Sequence, residues 1–177
     1  FPEDHALALG TGGIVYSAHG KAILAEADVI LGVGASLTPH RITSPALPKS
    51  AKVIHATNDA RDLNKNYTTE IGILGDAKLV LRALVDCGRD RLRGQQRDNS
   101  MATKIAGLRD PWLAEWHAKL NSAEVPMTPY RVINEFMRVI NPADAIVTHD
   151  SGSPRDQILP FYRATTPRSY LGWGKSH

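Results

Sequence analysis

The sequence predicts an α/β fold, with a Rossmann-like parallel sheet flanked by helices and then a partial second α/β unit. Three observations carry this. Apolar runs of strand length, "DVILGVGA", "AKVIHATN" and "EIGILG", end in glycine or short polar residues. Segments with apolar residues at helical spacing alternate with them, the order that a parallel sheet requires. The pattern then resumes in "TPYRVINEFMRVINPADAIVTHD", a helix followed by another strand.

Taken in order, "GTGGIVYSAHGKAILAEA" opens with glycines and sets Val15, Ala18, Ala22 and Ala25 at helical spacing. The three apolar runs that follow suit strands buried on both faces. In "GDAKLVLRALVDCG", Asp76 is placed as the N-cap, Leu79, Leu81, Leu84 and Val85 as apolar positions, and Gly88 as C′. Residues 1–88 thus form a first, N-terminally incomplete domain. "RDRLRGQQRDNS" reads as a polar linker, and "MATKIAGLRDPWLAEWHAKLNS" as helix with a break near Pro111, its Trp112 and Trp116 packing on one face. Linker and helix make up residues 89–125. In the last part, 126–177, Thr128 caps a helix with Pro129 at its first position. Val132, Ile133, Phe136, Met137 and Ile140 form its apolar stripe, and "DAIVTHD" is a buried strand that begins a truncated second unit.

A chain of 177 residues with 42% hydrophobic and 22% charged side chains can bury a core. Its net charge of +3 does not call for nucleic acid, and the basic run "CGRDRLRGQQR" reads as a solvated face. Cys87 is the single cysteine, which rules out an internal disulfide and favours a reducing, cytoplasmic setting. No apolar run reaches the length of a membrane span. The start has no signal-peptide pattern, and a first residue of Phe1 rather than Met points to a piece of something longer.

In open α/β sheets, ligands bind beyond the carboxyl ends of the strands. Gly32 and Gly34, then Thr57, Asn58 and Asp59, then Gly75 and Asp76 stand at three such ends and would frame a cleft for FAD or ADP. From spacing alone the same residues read first as turns and helix caps, and "GTGG" does not complete a dinucleotide fingerprint. "HDSGSPRDQ" offers a second site. Asp150, Ser151, Gly152 and Ser153 form a turn between strand and helix whose backbone N–H groups suit a diphosphate. His149 and Asp150 are neighbours on a strand and point to opposite faces, which argues against a catalytic pair. No cluster has metal-ligand spacing, and Ser151 lacks the frame of a nucleophile elbow, so no catalytic residue is assigned.

Two segments together resemble a known family. "FPEDHALALGTGGIVYSAHGKAILAEADVILGVGASLT", followed by "KVIHATNDARDLNKNY" and "ILGDAKLVLRAL", resembles the central domain of thiamine-diphosphate-dependent enzymes of the acetolactate synthase type. "TPYRVINEFMRVINPADAIVTHDSGSPRDQILPFY" with "PRSYLGWG" is similar to the beginning of the domain that holds the cofactor's diphosphate. The resemblance implies a larger enzyme of three α/β domains, a homodimer or homotetramer, with thiamine diphosphate and Mg2+. It implies addition of the thiazolium ylide to a 2-keto acid, loss of carbon dioxide, and transfer or release of the aldehyde unit. The family's activating glutamate belongs to a preceding domain and its metal-binding motif to a stretch beyond His177, so the chain by itself is expected to be inactive.

The chain departs from the family at Ser153 and Pro154, where Gln and His are usual, in "SLTPHR" after the first strand, and at Thr57, which replaces an Asp. A decarboxylase or lyase fits as well as acetolactate synthesis, and the central domain is left to hold FAD, ADP or nothing. A non-catalytic nucleotide-binding or subunit-packing module is the alternative.

Overall fold

The computed structural model describes residues 2–10, 17–39, 47–96, 98–150 and 152–172. They fall into two compact units, one of Phe1–Ile23 with Asn99–His177 and one of Leu24–Asp98.

The Leu24–Asp98 unit is built on a parallel sheet of three strands, β1 (Val29–Val33), β2 (Lys52–Thr57) and β3 (Ile71–Leu74), in the order β1-β2-β3. The register sets Gly32 beside His55 and Thr57 beside Leu74, so the carboxyl ends of all three strands lie together. The central strand carries the burial, with Val53, His55, Ala56 and Thr57 all inside. The His55 ring Nε2 donates to the Ala35 carbonyl at 2.6 Å, which fastens the exit of β1 to β2.

Burial on both faces, expected for all three strands, holds for β2 only. Val29 and Leu31 of β1 and Ile71 and Leu74 of β3 are exposed, and among the described residues each of these strands pairs on one side only. Helix α2 (Ala77–Arg91) touches β2 and starts as expected, the Asp76 carboxylate accepting from the Leu79 N–H at 3.0 Å. It does not stop at Gly88. The Leu92 N–H donates to the Gly88 carbonyl and closes a further turn, where Arg89 and Arg91 complement the helix dipole. An interior glycine costs about 1 kcal/mol relative to alanine, too little to end a helix already formed. Leu79, Leu81, Leu84 and Val85 stay exposed.

Helix α1 (Ala18–Ala25) starts in the other unit, where the buried His19 of its first turn meets Trp112 edge-on at 5.7 Å. Val15 and the "GTGG" glycines after Gly10 lie outside the described residues. Helix α3 (Ser100–Leu120) contains Pro111 and is continuous through it, contrary to the expected break. Buried Ile105 and Trp112, one before and one after the proline, hold both halves against the protein. Helix α4 (Pro129–Val139) begins as predicted, the Thr128 hydroxyl accepting from the Arg131 N–H at 3.3 Å with Pro129 in the first turn.

Trp112, Ile133 and Phe161 form the core, and Trp116, Tyr130 and Met137 pack against it. Trp112 stacks on Phe161 at 5.8 Å with planes 12° apart, so the two tryptophans do pack. Of the predicted α4 stripe, Ile133 is buried, Phe136, Met137 and Ile140 are half-buried, and Val132 is exposed. No helix among the described residues is long and apolar enough to cross a membrane.

Candidate functional site

Two sets of strand ends were singled out by the sequence, one in each unit. In the Leu24–Asp98 unit the structure brings Gly32, Gly34, Thr57, Asn58, Asp59, Gly75 and Asp76 to one edge of the sheet. Gly34 has φ +64°, which favours glycine, and its N–H donates to the Ala56 carbonyl at 2.9 Å. The Gly75 N–H likewise donates to the Thr57 carbonyl. A Cβ at Gly32 would come within 3.1 Å of the Leu37 side chain.

Local bonds occupy the polar side chains here. Buried Thr57 accepts from the Asp59 N–H through its hydroxyl at 3.1 Å. Asp59 caps the short 3-10 turn Ala60–Asp62, and its carboxylate receives the Arg61 guanidinium at 2.6 Å. Those hydrogen bonds, above all the side-chain pair, lower the Asp59 pKa to about 2. Asp76 is engaged as the α2 cap, and Asn58 is exposed.

The second set belongs to the Phe1–Ile23 and Asn99–His177 unit. Strand β4 (Val147–His149) pairs in parallel with β5 (Tyr170–Gly172), placing Val147 beside Tyr170 and His149 beside Gly172. Only Val147 of β4 is buried, so this strand too is less enclosed than expected. Among the described residues it has one neighbouring strand. Beyond His149 the chain turns through Asp150 and Gly152 into the short helix α5 (Ser153–Ile158). Ser151 lies outside the described residues.

Gly152 has φ +82° and ψ −142°, a conformation essentially reserved for glycine, and a Cβ there would meet nothing within 4 Å. The turn therefore has glycine for its backbone shape and borders open space. Asp150 and Pro154 line an open groove of about 720 Å³, whose walls include Ile133, Phe136, Val147 and Gln157. Arg155 gives its charge to Asp156 at 2.8 Å.

Sequence reasoning missed the aromatic ladder behind this turn. The His149 ring lies 5.4 Å from Tyr170, Tyr170 stacks on Tyr162 at 5.5 Å, and Tyr162 meets Phe136 at 6.3 Å. Burial and the nearby Glu3 carboxylate push the Tyr170 phenol up to about 12 and raise that of Tyr162, so both stay neutral. The signal was present in "SYLGWG", where Tyr170 and Gly172 alternate onto one face of a strand, but the register that brings them to His149 is tertiary. Among the described residues, no group of three or more His, Cys, Asp or Glu side chains is placed to hold a metal ion.

The model of the thiamine pyrophosphate enzyme central domain matches residues 1–84. A probable acetolactate synthase large subunit of Methanocaldococcus jannaschii is 30% identical over 98% of this chain and 29% of its own length. The corresponding protein of Methanococcus aeolicus is 26% identical over 97% of the chain and 30% of its own length. A probable 2-ketoarginine decarboxylase of Pseudomonas aeruginosa is 28% identical over 92% and 27%. The chain thus spans less than a third of the length of these curated relatives.

Proposed function

We propose that this chain serves a cytoplasmic thiamine pyrophosphate enzyme of the acetolactate synthase type acting on 2-keto acids. The match of residues 1–84 to the central domain of thiamine pyrophosphate enzymes and the acetolactate synthase relatives support this reading. In this reading residues 1–88 are the central domain, 89–125 connect, and 126–177 open the domain that holds thiamine diphosphate. Asp150, Ser151, Gly152 and Ser153 receive the diphosphate. The observation that carries the assignment is Gly152, held at φ +82° beside open space, where backbone can approach an anion closely.

At the other candidate edge the Asp76 carboxylate already takes the start of α2, where a phosphate would otherwise sit. This favours the β4 turn over the Leu24–Asp98 strand ends as the cofactor site, and it weighs against FAD or ADP there. When bound, the cofactor supplies a cationic thiazolium ring that accepts the electron pair released on decarboxylation. The chain's own part is to bind and orient. Gly152 removes the side chain that would bar the diphosphate, and Ser153 offers a hydroxyl donor. When bound with the cofactor, Mg2+ would balance the diphosphate charge; Arg155 is already paired with Asp156. The exposed leucines of α2 favour an added role in packing against further protein, as in a homodimer or homotetramer.

Titration calorimetry with thiamine diphosphate and Mg2+ on the gene-encoded polypeptide tests the site. Gly152→Val should weaken binding at least tenfold, and unchanged affinity would remove the assignment. Residues 1–177 by themselves should show no 2-keto acid decarboxylation with cofactor and Mg2+.

A further inference from the structure

We propose that His149, seated on Gly172, is a positioning residue that holds the entry of the cofactor turn, an inference that rests on the diphosphate reading of that turn. The parallel register sets His149 directly beside Gly172. A Cβ on Gly172 would lie 2.9 Å from the ring Nε2, so the imidazole occupies the space that any other side chain at this position would fill. Gly172 lies in a strand and needs no unusual backbone conformation, so it is required here for room rather than for freedom.

The other ring nitrogen fixes the turn. His149 Nδ1 is 2.7 Å from the Asp150 carbonyl oxygen, and because a carbonyl only accepts, Nδ1 carries the hydrogen. The neutral ring is thereby set in one tautomer, with Nε2 bare towards Gly172. On its flank the ring rests against Tyr170, which stacks on the buried Tyr162. A line of rings therefore runs from the interior to the Asp150 carbonyl, at the start of the Asp150–Ser153 turn. Fixing that carbonyl limits how the following backbone presents itself to an anion, which is how a residue that never touches the ligand governs its binding.

Two measurements on the gene-encoded polypeptide decide it. In 15N-edited imidazole spectra recorded without cofactor, the neutral His149 ring should show protonated Nδ1 and bare Nε2; the opposite tautomer would overturn the clamp. Thiamine diphosphate affinity with Mg2+ is then compared across His149→Ala, Gly172→Ala and the double variant. Each single change should weaken binding about tenfold, the loss of one hydrogen bond that orders the turn.

The double variant should bind no more weakly than His149→Ala alone, since the alanine methyl then meets no ring. Losses that multiply would overturn the pairing. His149→Asn keeps an N–H donor at the position of Nδ1 and should bind better than His149→Ala; equal loss counts against positioning through that donor. If the unaltered protein binds no thiamine diphosphate, the cofactor reading falls and the positioning role with it, while the tautomer still reports whether the ring is clamped.

Discussion

In the unit formed by Phe1–Ile23 and Asn99–His177, Trp112, Ile133 and Phe161 bury one another and draw Trp116, Tyr130 and Met137 around them. In Leu24–Asp98 the buried side chains among the described residues all lie on β2, while β1, β3 and α2 keep leucine, isoleucine and valine exposed. The difference follows from geometry. A helix has one apolar stripe, and two helices with a few aromatic rings suffice to cover it. A parallel strand has two faces and two edges, and a sheet of three strands leaves its outer members half covered. The first unit thus holds its core within itself, and the second depends more on further packing.

The contrast is broken most directly at Trp112. Trp112→Ala should lower the unfolding free energy by about 3–5 kcal/mol, read by urea denaturation. A loss below about 1 kcal/mol would mean that the aromatic core is not what holds its unit together.

In the second unit an exposed polar turn can be probed by pH. The Asp59 carboxyl is lowered from 3.8 to about 2 by Arg61, so its contribution to stability is complete above 3.8 and is lost as pH falls through about 2. Arg61→Ala should return the Asp59 titration towards the ordinary carboxylate range, as followed by carboxyl NMR. A titration left near its lowered value would mean that another group holds the carboxylate.

The smallest effect is expected on α2. Leu79→Gln should change stability by no more than about 0.5 kcal/mol in these 177 residues, since Leu79 is 66% exposed. A loss above about 2 kcal/mol would show the helix face to be covered and would erase the contrast.

What could be read from the sequence was local. Asp76 and the Thr128–Pro129 pair announced two helix starts because a cap is a contact within three residues. The three parallel strands were visible as apolar runs ending in glycine or polar residues. Gly88 and Pro111 misled for the same reason in reverse. Their intrinsic preference against helix was overridden, at Pro111 by the burial of Ile105 and Trp112 on either side. Of the β4 site, the strand, the turn and its glycine were legible, because Gly152 must adopt a conformation that other residues avoid. The contact of His149 with Gly172 and Tyr170 was not, since it requires the pairing of strands that lie about twenty residues apart. The exposure of β1 and β3 was equally hidden, because an apolar run records that a strand wants cover and not how much of it a given chain provides.

Near its amino end, Glu3 donates its N–H to the Ala164 carbonyl at 3.0 Å, and its carboxylate accepts from the Ala164 N–H at 2.8 Å, across 161 positions of chain. Leu24–Asp98 is therefore an insertion inside a discontinuous unit. On the ribosome all of the inserted segment emerges before its host can close, because the clasp at Glu3 must wait for Ala164 to be made. The sheet with the thinner cover is the one that comes first, and it must persist through the time in which the aromatic cluster has yet to be synthesised.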